Sequence, residues 1–168
     1  AVGAHDRPAI ASAVQRGLVL AALVAVPLAL ALLPAGAVLR AFGQPEAVIP
    51  DAAAYVRASI PGLLPYLAFV VLRQTLQAMQ HVRAIVIAIV VGNVANVALN
   101  YVFIHGALGI PGAGVVGSAW ASTVGRWLMA VLLLAGAWRT LAPALRPWRA
   151  GHWRPRALAP LVRIGLPI

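Results

Sequence analysis

From Gly17 to Leu39 the chain carries no charged residue over 23 positions, and a helix needs about 20 mostly apolar residues to cross the hydrocarbon core of a bilayer. This run predicts a spanning helix over 17–39. Its Pro27 and Pro34 are tolerable inside a bundle, where neighbours satisfy the freed carbonyls, and a kink is expected near Pro27. Three more apolar blocks follow, over about 52–77, 84–104 and 115–138. The second contains Pro61 and Pro65 and holds only 15 uncharged residues between Arg57 and Arg73, so it spans if those arginines snorkel to the two interfaces. The predicted fold class is all-α, a polytopic transmembrane helix bundle.

Charge fits that architecture. Only 10% of the 168 residues are charged and 62% are hydrophobic, against roughly a quarter charged in a soluble domain. Thirteen basic residues, all arginine, oppose Asp6, Glu46 and Asp51 for a net charge of +10. Such a balance would suit nucleic acid if it formed a patch, but the arginines lie between the apolar blocks. Alternate loops are basic: the lead with Arg7 and Arg16, the 73–83 turn with Arg73 and Arg83, and the 139–163 segment with six arginines. The positive-inside rule puts these in the cytoplasm. The intervening loops are balanced (40–57) or uncharged (105–114). The expected organisation is therefore four helices over 1–138, a basic cytoplasmic linker over 139–160 and the start of a further helix over 161–168. Trp138, Trp148 and Trp153 among the linker arginines read as an interfacial anchor attracted to anionic lipid, with no nucleic-acid partner. The chain opens on Ala1 rather than Met and stops inside an apolar phrase; both ends read as cut.

The motifs lie on the third and fourth blocks. Asn93, Asn96 and Asn100 share one face of an apolar helix. Interhelical amide bonds of about 0.6–2 kcal/mol each would fasten a bundle; the alternative is a wet cavity lined by the stripe. Gly112, Gly114 and Gly117 spell a nucleotide-binding pattern, yet an apolar helix precedes it and no acid follows Asp51, so the pattern is a turn and a helix start. Gly117, Ala121 and Gly125 recur every four residues, a face for close helix packing. Ser118, Ser122 and Arg126 repeat on the neighbouring face, with Thr123 beside them. Arg126 falls near mid-membrane and either faces the bundle interior or snorkels. The four histidines lack metal-ligand spacing, no Ser/His/Asp set can be assembled, and there is no cysteine. An enzyme is not expected, nor is a metal or an organic cofactor.

The phrase Ala95 to Gly106, then Leu108 to Gly114 and Gly117 to Ser122, resembles the fifth helix, outer turn and sixth helix of the multidrug and toxic compound extrusion (MATE) transporters. Ile60-Pro61-Gly62 with Leu72-Arg73-Gln74 is similar to the fourth helix of that family. Gly3-Ala4-His5-Asp6 resembles the loop before the third, and Arg163 to Ile168 the opening of the seventh. The resemblance implies part of one six-helix lobe of a twelve-helix antiporter, in the bacterial inner membrane, that exports bulky, often cationic drug-like compounds in exchange for H⁺ or Na⁺. Its partners would be membrane lipid and the remaining helices of the transporter. In one branch of the family the asparagine matching Asn96 helps form a cation site with an acid four residues later. Here that position is Asn100, which carries no proton, and the chain is more similar to the NorM-like branch, whose helix-seven acid would fall after Ile168. On this resemblance Asn96 and Asn100 would line a cavity, Ser118 and Ser122 would face them, and Arg126 would act as a charge partner or a substrate-repelling element. Other readings are a lipid-linked sugar flippase of similar fold, and a non-transporting scaffold or gene remnant.

Overall fold

The computed structural model describes residues 7–146. They form helices throughout: α1 (Arg7–Leu32), α2 (Ala35–Ala41), α3 (Ile49–Ser59), a 3₁₀ turn (Ile60–Gly62), α4 (Leu63–Ala78), α5 (Val82–His105), α6 (Gly114–Gly136) and α7 (Trp138–Leu145). The expected run from Leu161, the linker beyond Arg146 and the first six residues lie outside the described residues. Four helical units, Pro8–Leu32, Ile49–Ala78, Val82–His105 and Gly114–Gly136, are long and apolar enough to cross a membrane. At 1.5 Å per residue the shortest covers roughly 35 Å, more than the ~30 Å hydrocarbon core. The fold is an all-α polytopic bundle.

The first span differs from the uncharged run. α1 begins at Arg7 and carries Arg16 in its third turn, because a charged side chain does not interrupt backbone bonding. It stops at Leu32 rather than Leu39. Pro34 has no N–H for the Leu30 carbonyl, which accepts from Leu33 N at 3.3 Å instead. The chain then restarts as α2, which lays Ala35 and Gly36 against Ile49 and Ala53 of α3.

α6 is the hub, packing most extensively on α5 and also on α3, the 3₁₀ turn, α4 and α7, while α1 packs on α4 and α7. Where α1, α4, α5, α6 and α7 meet, Val14, Phe69, Leu72, Leu76, Ile85 and Leu133 form the core. α7 departs from the expectation that the segment after Trp138 is a proline-broken linker. Pro143 sits inside the helix, and Leu141 is fully buried with Ala144 beside it in the core. Buried Gln15 of α1 donates from Nε2 to the Ala144 carbonyl at 2.9 Å. That carbonyl lies in the last turn of α7, where intrahelical donors run out. Elsewhere Val26, Leu30, Val94 and Val97 face outward, each at least 60% exposed, as side chains bathed in lipid would be.

If α7 belongs to the core, Leu141→Ala should cost about 2–5 kcal/mol and lower the thermal midpoint in detergent, whereas Leu141→Met should cost under about 1.5 kcal/mol. An unchanged midpoint for Leu141→Ala would place α7 outside the cooperative unit.

Candidate transport site

The site builds on the α5–α6 pair. The two helices are joined by a turn over 106–113, in which Ala113 N donates to the Phe103 carbonyl at 2.8 Å. Gly106 (φ 82°), Leu108 (φ 55°) and Gly109 (φ 80°) have positive φ there, which at Leu108 costs the side chain roughly 1–2 kcal/mol. Beyond the turn the small residues close the gap. A Cβ on Gly117 would overlap the backbone of Phe103, and one on Gly125 would lie 3.2 Å from Asn96 Nδ2. Gly92 of α5 gives the same clearance to Met129. The Gly117, Ala121, Gly125 face is thus the α5 contact face.

This geometry sorts the candidate residues. Asn96 and Asn100 are together: Asn100 Nδ2 donates to the Asn96 carbonyl at 2.9 Å and to Asn96 Oδ1 at 3.1 Å. Both are half-buried, and Asn93 is exposed. Asn96 meets Gly125 rather than a serine. Ser118 and Ser122 are half-buried, and no hydrogen bond joins them to the asparagines among the described residues. They sit one residue on from the glycine face, about 100° around the helix.

Arg126 turns to the second span. Its guanidinium carbon lies 5.6 Å from the centroid of the Tyr66 ring, a cation–π distance. A Cβ on Gly62 would stand 3.0 Å from Arg126 Cδ, so a larger residue there would crowd the Arg126 side chain. Glu46 and Asp51 are the acids among the described residues, and Glu46 pairs with Arg40 at 3.3 Å. The Arg126 charge is held by an aromatic face and not by a carboxylate.

Two neighbours escaped sequence reasoning. Thr123 Oγ1 donates to the Ala58 carbonyl at 2.7 Å and Trp127 Nε1 to the Pro61 carbonyl at 3.1 Å. One signal was present: Pro65 stands four residues after Pro61, so the Pro61 carbonyl has no helical donor. Thr123, Arg126 and Trp127 therefore plug the break in the second span. Among the described residues no group of three His, Asp or Glu side chains is placed to hold a metal ion.

Residues 1–102 match the MatE family model. The chain belongs to the MatE family. Relatives cover most of it. The probable multidrug resistance protein NorM of Mesorhizobium japonicum is 34% identical over 160 residues, which is 92% of this chain and 34% of that relative. The multidrug resistance protein NorM of Vibrio cholerae is 30% identical over 168 residues, 99% of this chain and 37% of its own. Multidrug resistance protein MdtK of Cronobacter sakazakii is 31% identical over 172 residues, again 99% and 37%. This MatE chain thus spans about a third of the length of these relatives.

The α5–α6 seam makes a graded prediction. Gly117→Ala should destabilise by about 1–3 kcal/mol, because the Phe103 backbone cannot move aside, while Gly125→Ala should cost under about 1 kcal/mol, because the Asn96 amide can shift. Thr123→Val should cost about 0.6–1.7 kcal/mol. Thermal unfolding in detergent measures all three, and equal losses at the two glycines would contradict the packing described.

Proposed function

We propose that the protein carrying this chain is a secondary active multidrug exporter of the bacterial inner membrane, and that this chain supplies four helices of one lobe. The observation that carries the reading is the MatE match over residues 1–102, together with relatives named for multidrug resistance along almost the whole chain. Asn96, Asn100, Ser118 and Ser122 border the cavity in this reading, offering neutral hydrogen-bonding groups to bulky, often cationic compounds. Arg126, stacked on Tyr66, repels cations from the break in the second span and keeps that wall rigid. Export is driven by antiport with H⁺ or Na⁺. The exchange needs groups that change charge or release an ion, and neither asparagine does, so the coupling carboxylates belong to other helices of the transporter. The protein is not an enzyme in this account. The lead, the 73–83 turn and the 139–163 segment face the cytoplasm, following their arginines.

In the full-length protein, Asn96→Ala and Arg126→Ala should each reduce drug resistance several-fold in a strain lacking other exporters, at unchanged expression. Resistance at the wild-type level for both would reduce them to packing residues. Single cysteines placed at Gly109 and Arg139 of an otherwise cysteine-free protein should react with an impermeant maleimide from opposite sides of the membrane. Labelling of both from one side would overturn the orientation.

A further inference from the structure

Two tight junctions meet at one end of the bundle. Between α4 and α5, Gln80 takes a left-handed conformation (φ 61°) and His81 N donates to the Leu76 carbonyl at 2.8 Å, so the chain reverses within three residues and α5 starts at Val82. On the other side α6 ends at Gly136 and α7 begins at Trp138. These junctions bring His81 and Arg83 beside Arg139 and Thr140. A hollow of about 530 Å³ carries His81, Arg83 and Thr140 on its edge. An adjoining hollow of about 310 Å³ carries His81, Arg139 and Thr140. His81 and Thr140 form the ridge between them.

Below this polar rim the larger hollow has an apolar wall of Ala84, Ile87, Leu132 and Ala135. Ile87 is half exposed. On the rim, His81 Nδ1 lies 2.8 Å from the Met79 carbonyl. A carbonyl only accepts, so Nδ1 carries the hydrogen and the other ring nitrogen is left as an acceptor for a donor group of a ligand. Arg83 and Arg139 are both exposed, with forked donors suited to phosphate. Among the described residues no carboxylate balances them: Glu46 and Asp51, the acids there, lie at the start of the Ile49–Ala78 span. The rim adjoins the other end of that span, roughly 45 Å away by helical rise.

We propose that this groove binds one anionic phospholipid, its headgroup phosphate held by Arg83, Arg139 and the Thr140 hydroxyl, with His81 accepting a hydrogen bond from a headgroup hydroxyl, and one acyl chain laid along the α5–α6 wall. Basic hollows between helices at the cytoplasmic surface suit anionic headgroups. The apolar wall directly beneath the charges selects a lipid over a free phosphate. The inference needs the helices to span a bilayer, and it is independent of whether the protein exports drugs.

Native mass spectrometry of the full-length protein in mild detergent tests it, with dioleoyl phosphatidylglycerol and dioleoyl phosphatidylcholine added at equal concentration. A single phosphatidylglycerol adduct is expected to outlast any phosphatidylcholine adduct. R83Q/R139Q should weaken it roughly 30-fold, from about fivefold per basic residue. R40Q/R57Q, which removes the same charge at the other end, should leave it intact. R83K/R139K should keep most of the headgroup preference, and it carries the test if the glutamine variant fails to fold. Equal retention of both lipids, equal loss in R40Q/R57Q, loss of the preference in a folded R83K/R139K, or displacement by soluble glycerol phosphate would each overturn the assignment. Preserved drug resistance without the adduct would overturn the lipid site alone and leave the exporter reading standing.

Discussion

The structure depends on how the bundle satisfies a broken helix inside a membrane. The second span contains Pro61 and Pro65 around a 3₁₀ turn at Ile60–Gly62. In a low-dielectric setting each unanswered carbonyl costs several kcal/mol. α6 donates to two carbonyls at the break, Ala58 through Thr123 and, through Trp127, Pro61, whose helical donor Pro65 removes. Arg126 fills the space over Gly62 and stacks on Tyr66. Because these donors stand on one turn of one helix, the break becomes a lock that fixes the rotation of α6.

That rotation sets everything on the other side of α6. With Thr123 turned to the second span, Gly117, Ala121 and Gly125 face α5, and glycine clearance brings Asn96 against the α6 backbone. Asn100 then satisfies itself on Asn96 one turn back. The serines fall between the two contact faces. A wall built this way offers hydrogen-bonding groups on helices whose spacing is dictated by backbone contact, which is stiffer than packing through long side chains. It also keeps the arginine charge against an aromatic ring and away from the asparagines.

Much of the fold was legible in the sequence, because lipid leaves little choice: a run of over 20 apolar residues becomes a helix. All four spans appear as such, and the small-residue stripe on α6 does the packing that its spacing implied. Boundaries were less legible. α1 extends into the polar lead, since the Arg16 side chain leaves the backbone bonding of the helix intact, and ends early, since Pro34 removes a donor. α7 was hidden because Pro143 and Pro147 look like breakers, while the buried partners of Leu141 and Gln15 come from distant parts of the chain. The asparagine face was visible, but its neighbour was not, because a glycine across an interface leaves no signature of its partner. Thr123 and Trp127 were hardest to see, since each recognises a backbone carbonyl, which every residue has. What singles out the Pro61 carbonyl is the proline four residues later.

The central claim is that α6 docks on the break of the second span, and oxidative cross-linking tests it most directly. The chain has no cysteine, so a pair at Ala58 and Thr123 in the full-length protein would be the pair under test in a cysteine-free background. Thr123 Oγ1 lies 2.7 Å from the Ala58 carbonyl, so the two residues are in contact, and a disulfide between them forms where the Cα atoms come within roughly 4.4–6.8 Å. Mild oxidation in native membranes should link A58C to T123C rapidly and leave A58C/A130C, about two turns further along α6, unlinked. Failure of the first pair to link, or equal linking of both, would contradict the account.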